Sequence, residues 1–333
     1  MRKKILITGG LGYIGYFVVA KLLKETQHQV LVLDSGVYKD NTLDEFSKYK
    51  RLKIIKGDIR NIADIIKGIK NTDVVIALAA IVGDPACALN NSETLSSNFH
   101  STELMISMCN YYKVKRLVFA SSCSVYGAGE VLLNEGSKLN PLSLYAKTRV
   151  MSEEVIRKNA LDKLEWSILR FGTVFGWSKR MRFDLVTNFL TAKAFYDGEI
   201  TVLGGTQWRP MVHVQDVAEA VVSTALAKKE QVDREVFNVG SNTNNFMIKD
   251  LAYAVKKYLP KTKVKIEKIP DSDRRNYRAS FDKIETVLGF KAKHTVSQGV
   301  KEIIWMLKKE KPDYLDEHYY NVKYLFKHAN GKK

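Results

Sequence analysis

The sequence predicts an α/β chain: a doubly wound parallel sheet followed by a smaller α/β domain. Three observations carry this. Short, wholly apolar runs such as Ile5-Leu6-Ile7 read as strands buried on both faces. They alternate with amphipathic segments of helical period, as parallel strands joined by crossovers require. The length, 333 residues with 45% apolar content and only 6 Pro, suits a doubly wound domain plus a smaller one.

The first strand runs into Gly9, Gly12 and Gly15, which open an amphipathic segment from Tyr13 to Thr26. A strand, a glycine turn and a helix N-terminus form an anion cradle. Gly9 allows the tight turn, Gly12 lets backbone approach a pyrophosphate, and Gly15 lets helix pack on strand. The spacing is G-x-x-G-x-x-G. A second buried run, Gln29 to Leu33, ends in Asp34, about 20 residues past the glycines, where a dinucleotide's ribose is bound. An Asp there accepts from both ribose hydroxyls and repels a 2′-phosphate, so the expected cofactor is NAD rather than NADP.

Ser35 to Lys50 reads as a polar loop with a short helix. Leu52 to Ile59 is a third strand, ending in Gly57-Asp58. Asp58 either accepts from an adenine amino group or caps the helix that begins near Ile62. Asp73 to Ala80 is the fourth strand, and its small carboxyl-terminal residues leave room for a dinucleotide. Ser92 to Tyr111 has helical periodicity; Asn98 within it is a buried bridge to strand four or plain surface. Arg116 to Ser121 is the fifth strand, followed at once by Ser121-Ser122-Cys123-Ser124-Val125-Tyr126-Gly127. Ligands of open α/β sheets sit at these carboxyl ends. Farther on, Tyr145 and Arg149 stand at i, i+4 of a helical segment reaching Asn159. A cation beside a phenol favours phenolate, which would make Tyr145 a general acid/base; the alternative is a helix start with a buried Tyr.

Together these motifs resemble the extended short-chain dehydrogenase/reductase family, in its nucleotide-sugar epimerase/dehydratase branch. The resemblance runs from about Lys4 to Ile304 and includes Thr8 to Gly15, Gly57-Asp58-Ile59, Leu78-Ala79-Ala80, Ser121 to Gly127, Arg209 to Asp216 and Leu288-Gly289-Phe290. It implies a Rossmann-type NAD domain over residues 1–176, with segments at about 209–240 returning to it. A smaller domain over 177–310 would grip a nucleoside diphosphate sugar, and 311–333 would be a tail beyond the family pattern. The implied chemistry is oxidation of a sugar ring hydroxyl, usually at C4. The implied cofactor contacts are Gly9, Gly12, Tyr13, Ile14, Gly15, Asp34, Asp58, Ile59, Leu78, Ala79, Ala80, Asn98, Tyr145 and Arg149. The catalytic set is Ser122, Tyr145 and Arg149: Ser122 matches the family Ser/Thr, four residues before Tyr126, and hydrogen-bonds the sugar oxygen whose proton Tyr145 takes. Dehydratases of this branch carry Asp-Glu next; here Cys123 and Ser124 offer no useful acid at neutral pH, so dehydration is not expected. Where the family has Tyr-x-x-x-Lys, this chain has Arg149. The charge survives, but Arg is a planar fork that does not deprotonate.

Glu165 to Arg170 is the sixth strand. Thr173 stands where the family often has Asn and is an expected substrate contact. Ser178 to Phe183 is a basic loop before a helix from Asp184 to Asp197, in which Asn188 either reaches a substrate phosphate or is exposed. The resemblance assigns Arg209 to the substrate diphosphate. His213, in an apolar strand, reads as structural, and Asp216 as the cap of a helix Val217 to Ala227. Val236 to Gly240 and Val264 to Ile269 are strands with a helix, Ile248 to Tyr258, between them; Ser297 to Lys309 is a terminal helix. Asp273 to Arg278 offers three guanidiniums, suited to a diphosphate; Arg275 is the first contact expected and Arg278 the second, against a reading as surface cations. The tail carries Tyr314, Tyr319, Tyr320, Tyr324 and Phe326, too apolar to be free.

The net charge is +17, from 53 Lys+Arg and 36 Asp+Glu. The cations are dispersed as single charges and pairs without an aromatic stacking pattern, which argues for a solvated basic surface rather than a nucleic-acid partner. No run approaches the roughly 18 apolar residues of a membrane span. Cys87, Cys109 and Cys123 are scattered, as expected of reduced thiols in the cytoplasm, and no Cys/His cluster has metal spacing. The expected protein is an NAD-dependent 4-epimerase or C4 dehydrogenase of a nucleotide sugar, in surface-polysaccharide synthesis. The resemblance also implies a homodimer or higher homo-oligomer, paired through the helices of Ser92–Tyr111 and Ser143–Asn159. The alternative is a non-catalytic NAD(H)-binding regulatory or scaffold protein.

Overall fold

The protein's structure, a computed structural model, describes residues 2–38, 41–268 and 275–330. Its strands in chain order are β1 Lys4–Thr8, β2 Gln29–Asp34, β3 Leu52–Lys56, β4 Val74–Ala77, β5 Arg116–Ser122, β6 Ala128–Leu133 and β7 Glu165–Phe171. They continue as β8 Thr173–Phe175, β9 Glu199–Leu203, β10 Trp208–His213, β11 Glu235–Val239, β12 Asn245–Met247, β13 Lys263–Glu267 and β14 Asn276–Ala279. Seven form one parallel sheet in the order β11-β7-β5-β4-β1-β2-β3. The strand order reverses between β1 and β4, and a doubly wound sheet opens its ligand crevice at that point.

Side-chain alternation explains why both faces are covered. In β1, Ile5 and Ile7 point into one core, shared with Val18, Val19 and Leu22 of helix Gly15–Glu25 and Val217 and Val221 of helix Val214–Leu226. Leu6 points into the other, with Ile65, Ile106 and Ile156 from helices Ile62–Ile69, Ser101–Tyr111 and Leu144–Asn159. A strand buried on both faces cannot alternate apolar with polar, so it reads as an unbroken apolar run. Edge strand β3 is different: Lys53, Ile54 and Lys56 are exposed, and charges on an edge discourage further pairing.

The remaining strands form small sheets. β10 pairs parallel with β8 and antiparallel with β12; β9 pairs with β13, and β14 with β6. Beside them a third core gathers Phe175, Leu190, Ile200, Val202, Leu251 and Val300, with helices Val186–Asp197, Ile248–Lys256 and Val296–Glu310 around it. The tail packs on its own chain: Tyr314 and Tyr320 are buried with Tyr13, Phe183, Ile303 and Leu307, ahead of a last helix, Asn321–Asn330.

Several local expectations are corrected. The helical segment at 92–111 is interrupted by a π-turn, Ser96–His100, between Asn91–Leu95 and Ser101–Tyr111. The helix expected from Val217 starts at Val214, and its cap is His213, whose ring accepts from Gln215 N at 3.3 Å. Asp216 sits inside the first turn and instead accepts from the backbone of Lys293 and His294 and from His294 Nδ1. Asp58 is likewise no cap; Asn61 accepts from Ala63 N at the start of helix Ile62–Ile69. Among the described residues, no helix is long and apolar enough to cross a membrane.

Candidate active site

The crevice at the sheet's carboxyl edge deepens into a cavity of about 650 Å³ that runs between a first lobe, built on the seven-stranded sheet, and a second, built on the small sheets around the third core. The glycine turn forms its floor. Gly9 has φ +76°, and a Cβ there would lie 2.8 Å from Ala79 N; at Gly15 a Cβ would collide with Gly9 O. The turn is thus pressed against the end of β4 on one side and the start of its helix on the other. That helix begins with no side-chain cap, so its first N–H groups remain suited to an anion. Asp34, at the end of β2, borders the same cavity. Its carboxylate accepts from Leu11 N at 3.0 Å and Gly36 N at 2.9 Å. Burial pushes its pKa up, and those backbone bonds only partly offset this.

The chemical end lies at the carboxyl end of β5. Ser122 accepts from Ser124 N at 3.1 Å and borders the cavity with Tyr145, whose phenolate its hydroxyl favours. Helix Leu144–Asn159 delivers Tyr145 because Ser143 caps it, accepting from Ala146 N at 3.2 Å while donating to Asp84 at 2.6 Å. One turn on, the Arg149 guanidinium lies 5.3 Å from the Tyr145 ring and is 3% exposed. Nη1 donates to Ala120 O at 3.1 Å; Nε and Nη2 are buried without a partner. The expected lowering of the Tyr145 pKa is not the net result: burial raises it, and Arg149 and Ser122 act against that rise. In the confined cavity the phenolate loses part of its hydration, and that loss exceeds the pull of one cation.

Leu78, Ala79, Ala80, Tyr13, Ile14, Thr173, Arg209 and Arg275 also border the cavity. Arg209 donates to Arg275 O at 2.6 Å, and Arg275 is ion-paired with Asp84, which also accepts from Ser143, so the two arginines stand together near the start of Tyr145's helix. Five expected contacts stand elsewhere. Asn188 is fully buried: its Oδ1 accepts from Gly176 N and its Nδ2 donates to the Tyr13 hydroxyl and Arg182 O. In this structure its amide is engaged with protein groups and does not border the cavity. Asn98 uses its amide on the backbone of Ile81, with both bonds at 2.9 Å. Asp58 is held by the Arg60 guanidinium, and neither it nor Ile59 borders the cavity. Arg278 lies with its guanidinium 5.3 Å from the Trp208 ring, off the cavity. Asp273 and Arg274 lie outside the described residues.

The structure adds cavity residues that sequence reasoning missed: Tyr38, Asp84, Arg180, Arg182 and, from the tail, Asn321. The Arg180-Met181-Arg182-Phe183 alternation was the available signal. Met181 and Phe183 enter the aromatic core, leaving both arginines for the cavity. Cys123 is fully buried against Arg170 O and does not face the cavity, whereas Ser124 does.

The set suits a dinucleotide: a glycine turn at an uncapped helix, an acid at the second strand, and two orphaned guanidinium donors beside a tyrosine. Comparison with known proteins agrees. UDP-glucose 4-epimerase of Lactobacillus helveticus is 27% identical over 93% of this chain and 98% of its own. A structure of MoeE5 with UDP-glucuronic acid and NAD is 27% identical, covering 92% of this chain and 99% of that one, at a TM-score of 0.79. Bacillus cereus UDP-glucuronic acid 4-epimerase, in complex with NAD, is 25% identical over 93% of this chain and 100% of its own, at 0.80. Residues 5–240 match the model of one family, and with the geometry above they establish that the chain belongs to the NAD-dependent epimerase/dehydratase family.

Proposed function

We propose that this chain is a 4-epimerase of a nucleotide-diphospho-sugar, with UDP-sugars the first candidates. The observation that carries the reading is Tyr145 with Ser122 and the Arg149 guanidinium beside it, all three bordering the cavity that the glycine turn and Asp34 also line. NAD, when bound, supplies the hydride acceptor and donor. Arg149 would stand beside the nicotinamide ribose, Asp34 would hold the adenosine ribose, and the turn from Gly12 to Gly15 the pyrophosphate. Tyr145 takes the proton of the sugar's C4 hydroxyl, Ser122 hydrogen-bonds that oxygen, and the charge of Arg149 stabilises the phenolate. C4 gives up its hydride and becomes a ketone. When the hydride returns to the opposite face and Tyr145 gives the proton back, the product is the C4 epimer, with no net redox change.

Arg209 and Arg275 suit the substrate diphosphate, and Thr173 stands on the cavity wall beside the chemical end. Burial of Cys123 away from the cavity supports epimerisation over dehydration, because no acid stands next to Ser122 to expel a neighbouring hydroxyl. The relatives named as UDP-glucose and UDP-glucuronic acid 4-epimerases support the choice of UDP. The setting we propose is the supply of sugars for surface polysaccharides by a homodimer in the cytoplasm.

A panel of UDP-, GDP- and dTDP-sugars tests the reading. One sugar should yield an isomer of unchanged mass without accumulating NADH absorbance; stoichiometric NADH would make the enzyme a net C4 dehydrogenase. Tyr145→Phe should lower turnover by about 100-fold or more, the usual scale for removing a general acid/base. Near-wild-type turnover in that variant would overturn the mechanism.

A further inference from the structure

The C-terminal segment reaches the cavity from outside the matched family region. Asn321, 2% exposed, and Val322 border the same cavity as Asp34, Tyr38 and the glycine turn. Asn321 is held on three sides. Its backbone N donates to Asp184 Oδ2 at 3.2 Å, its Nδ2 donates to Val82 O at 3.2 Å, and its Oδ1 accepts from Arg180 Nη2 at 2.6 Å. One side chain therefore ties the loop after β4, in the first lobe, to the Arg180–Asp184 loop of the second. Arg180 in turn lies 4.3 Å from the centroid of the Tyr38 ring, and Tyr38 packs against Tyr324 at 5.4 Å. Arg180 is 4% exposed, and its charge acts on Asp34. The chain upstream is anchored too: Phe183 N donates to Tyr319 O at 3.0 Å, and Tyr314 and Tyr320 are buried.

We infer that Asn321 is a positioning residue for the dinucleotide: it clamps the C-terminal segment across the Asp34 end of the cavity and fixes Arg180 there, so that NAD exchanges only when the clamp opens. The inference rests on the reading that NAD lies along the glycine turn with its adenosine end at Asp34. A cofactor so placed is enclosed by the two lobes and, at that end, by Asn321 and Val322. Its release requires breaking the hydrogen bonds that hold the segment, one of them to a guanidinium.

The test is NADH release from the full-length protein, followed by fluorescence after excess NAD is added. Asn321→Ala removes both side-chain bonds and should release NADH about tenfold or more faster than wild type, the scale of one charge-assisted hydrogen bond. Hydrogen exchange on the wild type gives a second readout that no variant can spoil. Amides of residues 314–327 should exchange more slowly with NADH bound than without. Release at the wild-type rate from a folded Asn321→Ala protein would overturn the clamp, as would tail exchange indifferent to NADH. Asp34→Ala separates the two levels. If it leaves NADH affinity unchanged, the placement of the cofactor is wrong; if it weakens affinity while Asn321→Ala changes nothing, only the clamp fails.

Discussion

At the scale of single residues, Arg149 departs most from the family pattern. A lysine could place one rotating ammonium there; the guanidinium anchors Nη1 on Ala120 O and holds Nε and Nη2 in a fixed plane. If the guanidinium turns these buried nitrogens to the nicotinamide ribose when NAD binds, Arg149→Lys loses at least one oriented, charge-assisted bond. Such bonds are worth about 1.5–3 kcal/mol. The variant should stay active, because the charge beside Tyr145 remains, but release NAD about tenfold faster; equal residence times would reduce Arg149 to a tolerated substitute. Ser122 acts on Tyr145 in a different way. Burial raises the phenol's pKa, and Ser122 opposes the rise by donating to the anion. Ser122→Ala should therefore move the rising limb of the pH profile of kcat/KM to higher pH and lower kcat by about 10- to 100-fold. Spacing alone brought Tyr145 and Arg149 together, because i, i+4 residues share a helix face. Burial was not legible in that spacing, and it reverses the net direction of the Tyr145 shift. Asn188 and Asn98 stand off the cavity for a related reason, Asn98 as the buried bridge to the end of strand four, one of the two readings its sequence position allows. An amide reads as a free donor and acceptor in sequence, yet inside a core it must pair with whatever backbone adjoins it.

At the scale of elements, the apolar runs placed the main sheet because a doubly covered strand has almost no freedom of composition. The small strands β6, β12 and β14 were missed: β12 and β14 are short, β6 exposes Val131 and Leu132, and none has the unbroken apolar run of a doubly covered strand. The π-turn at Ser96–His100 was also invisible; it lies where Asn98 turns inward to Ile81. The helix from Val214 shows how a misread cap becomes a structural device. His213 caps it and pairs through Nε2 with Glu302, stacks on His294 at 4.4 Å, and His294 pairs with Asp216 at 2.8 Å. The hydrogen bond to Asp216 raises the His294 pKa. Burial pushes Asp216 up, but its bonds from His294 and Lys293 outweigh that and hold it below the usual carboxylate range. A raised histidine contributes stability that is complete below its unfolded pKa of about 6.5 and is lost as pH rises through the folded value. The depressed carboxylate contributes above its unfolded value of about 3.9, so the pair is strongest between these limits. His294→Gln should therefore cost about 1 kcal/mol or less at pH 6, given its partial exposure, and clearly less at pH 9. Thermal melts of both proteins at the two pH values check this; a constant difference would mean that the ion pair does not stabilise the fold.

At the scale of the whole molecule, two features bear on assembly and pull in opposite directions. Leu104, Met108 and Tyr111 follow one another at i, i+4, i+7 on helix Ser101–Tyr111, with Tyr111 74% exposed. Met151 and Val155 repeat the spacing on the neighbouring helix Leu144–Asn159, and both are half-buried. Two adjacent apolar rows, in which Leu104 and Met108 pack only partly against the chain's own core, are what a second copy of this chain would cover, closing a four-helix bundle about a twofold axis. The opposing feature is the net charge of +17 on each copy, which makes their approach repulsive. Added salt screens that repulsion over about 10 Å at 0.1 M but leaves the apolar contact intact. A dimer held by these rows should tighten as sodium chloride rises from about 0.05 to 0.5 M, whereas association through ion pairs would weaken. Light scattering on sized samples at micromolar concentration gives the mass at each salt. Met108→Glu together with Met151→Glu should yield a folded monomer at every salt, because buried carboxylates without partners are strongly disfavoured. A wild-type monomer throughout, or a dimer unaffected by both substitutions, would place the interface elsewhere or remove it.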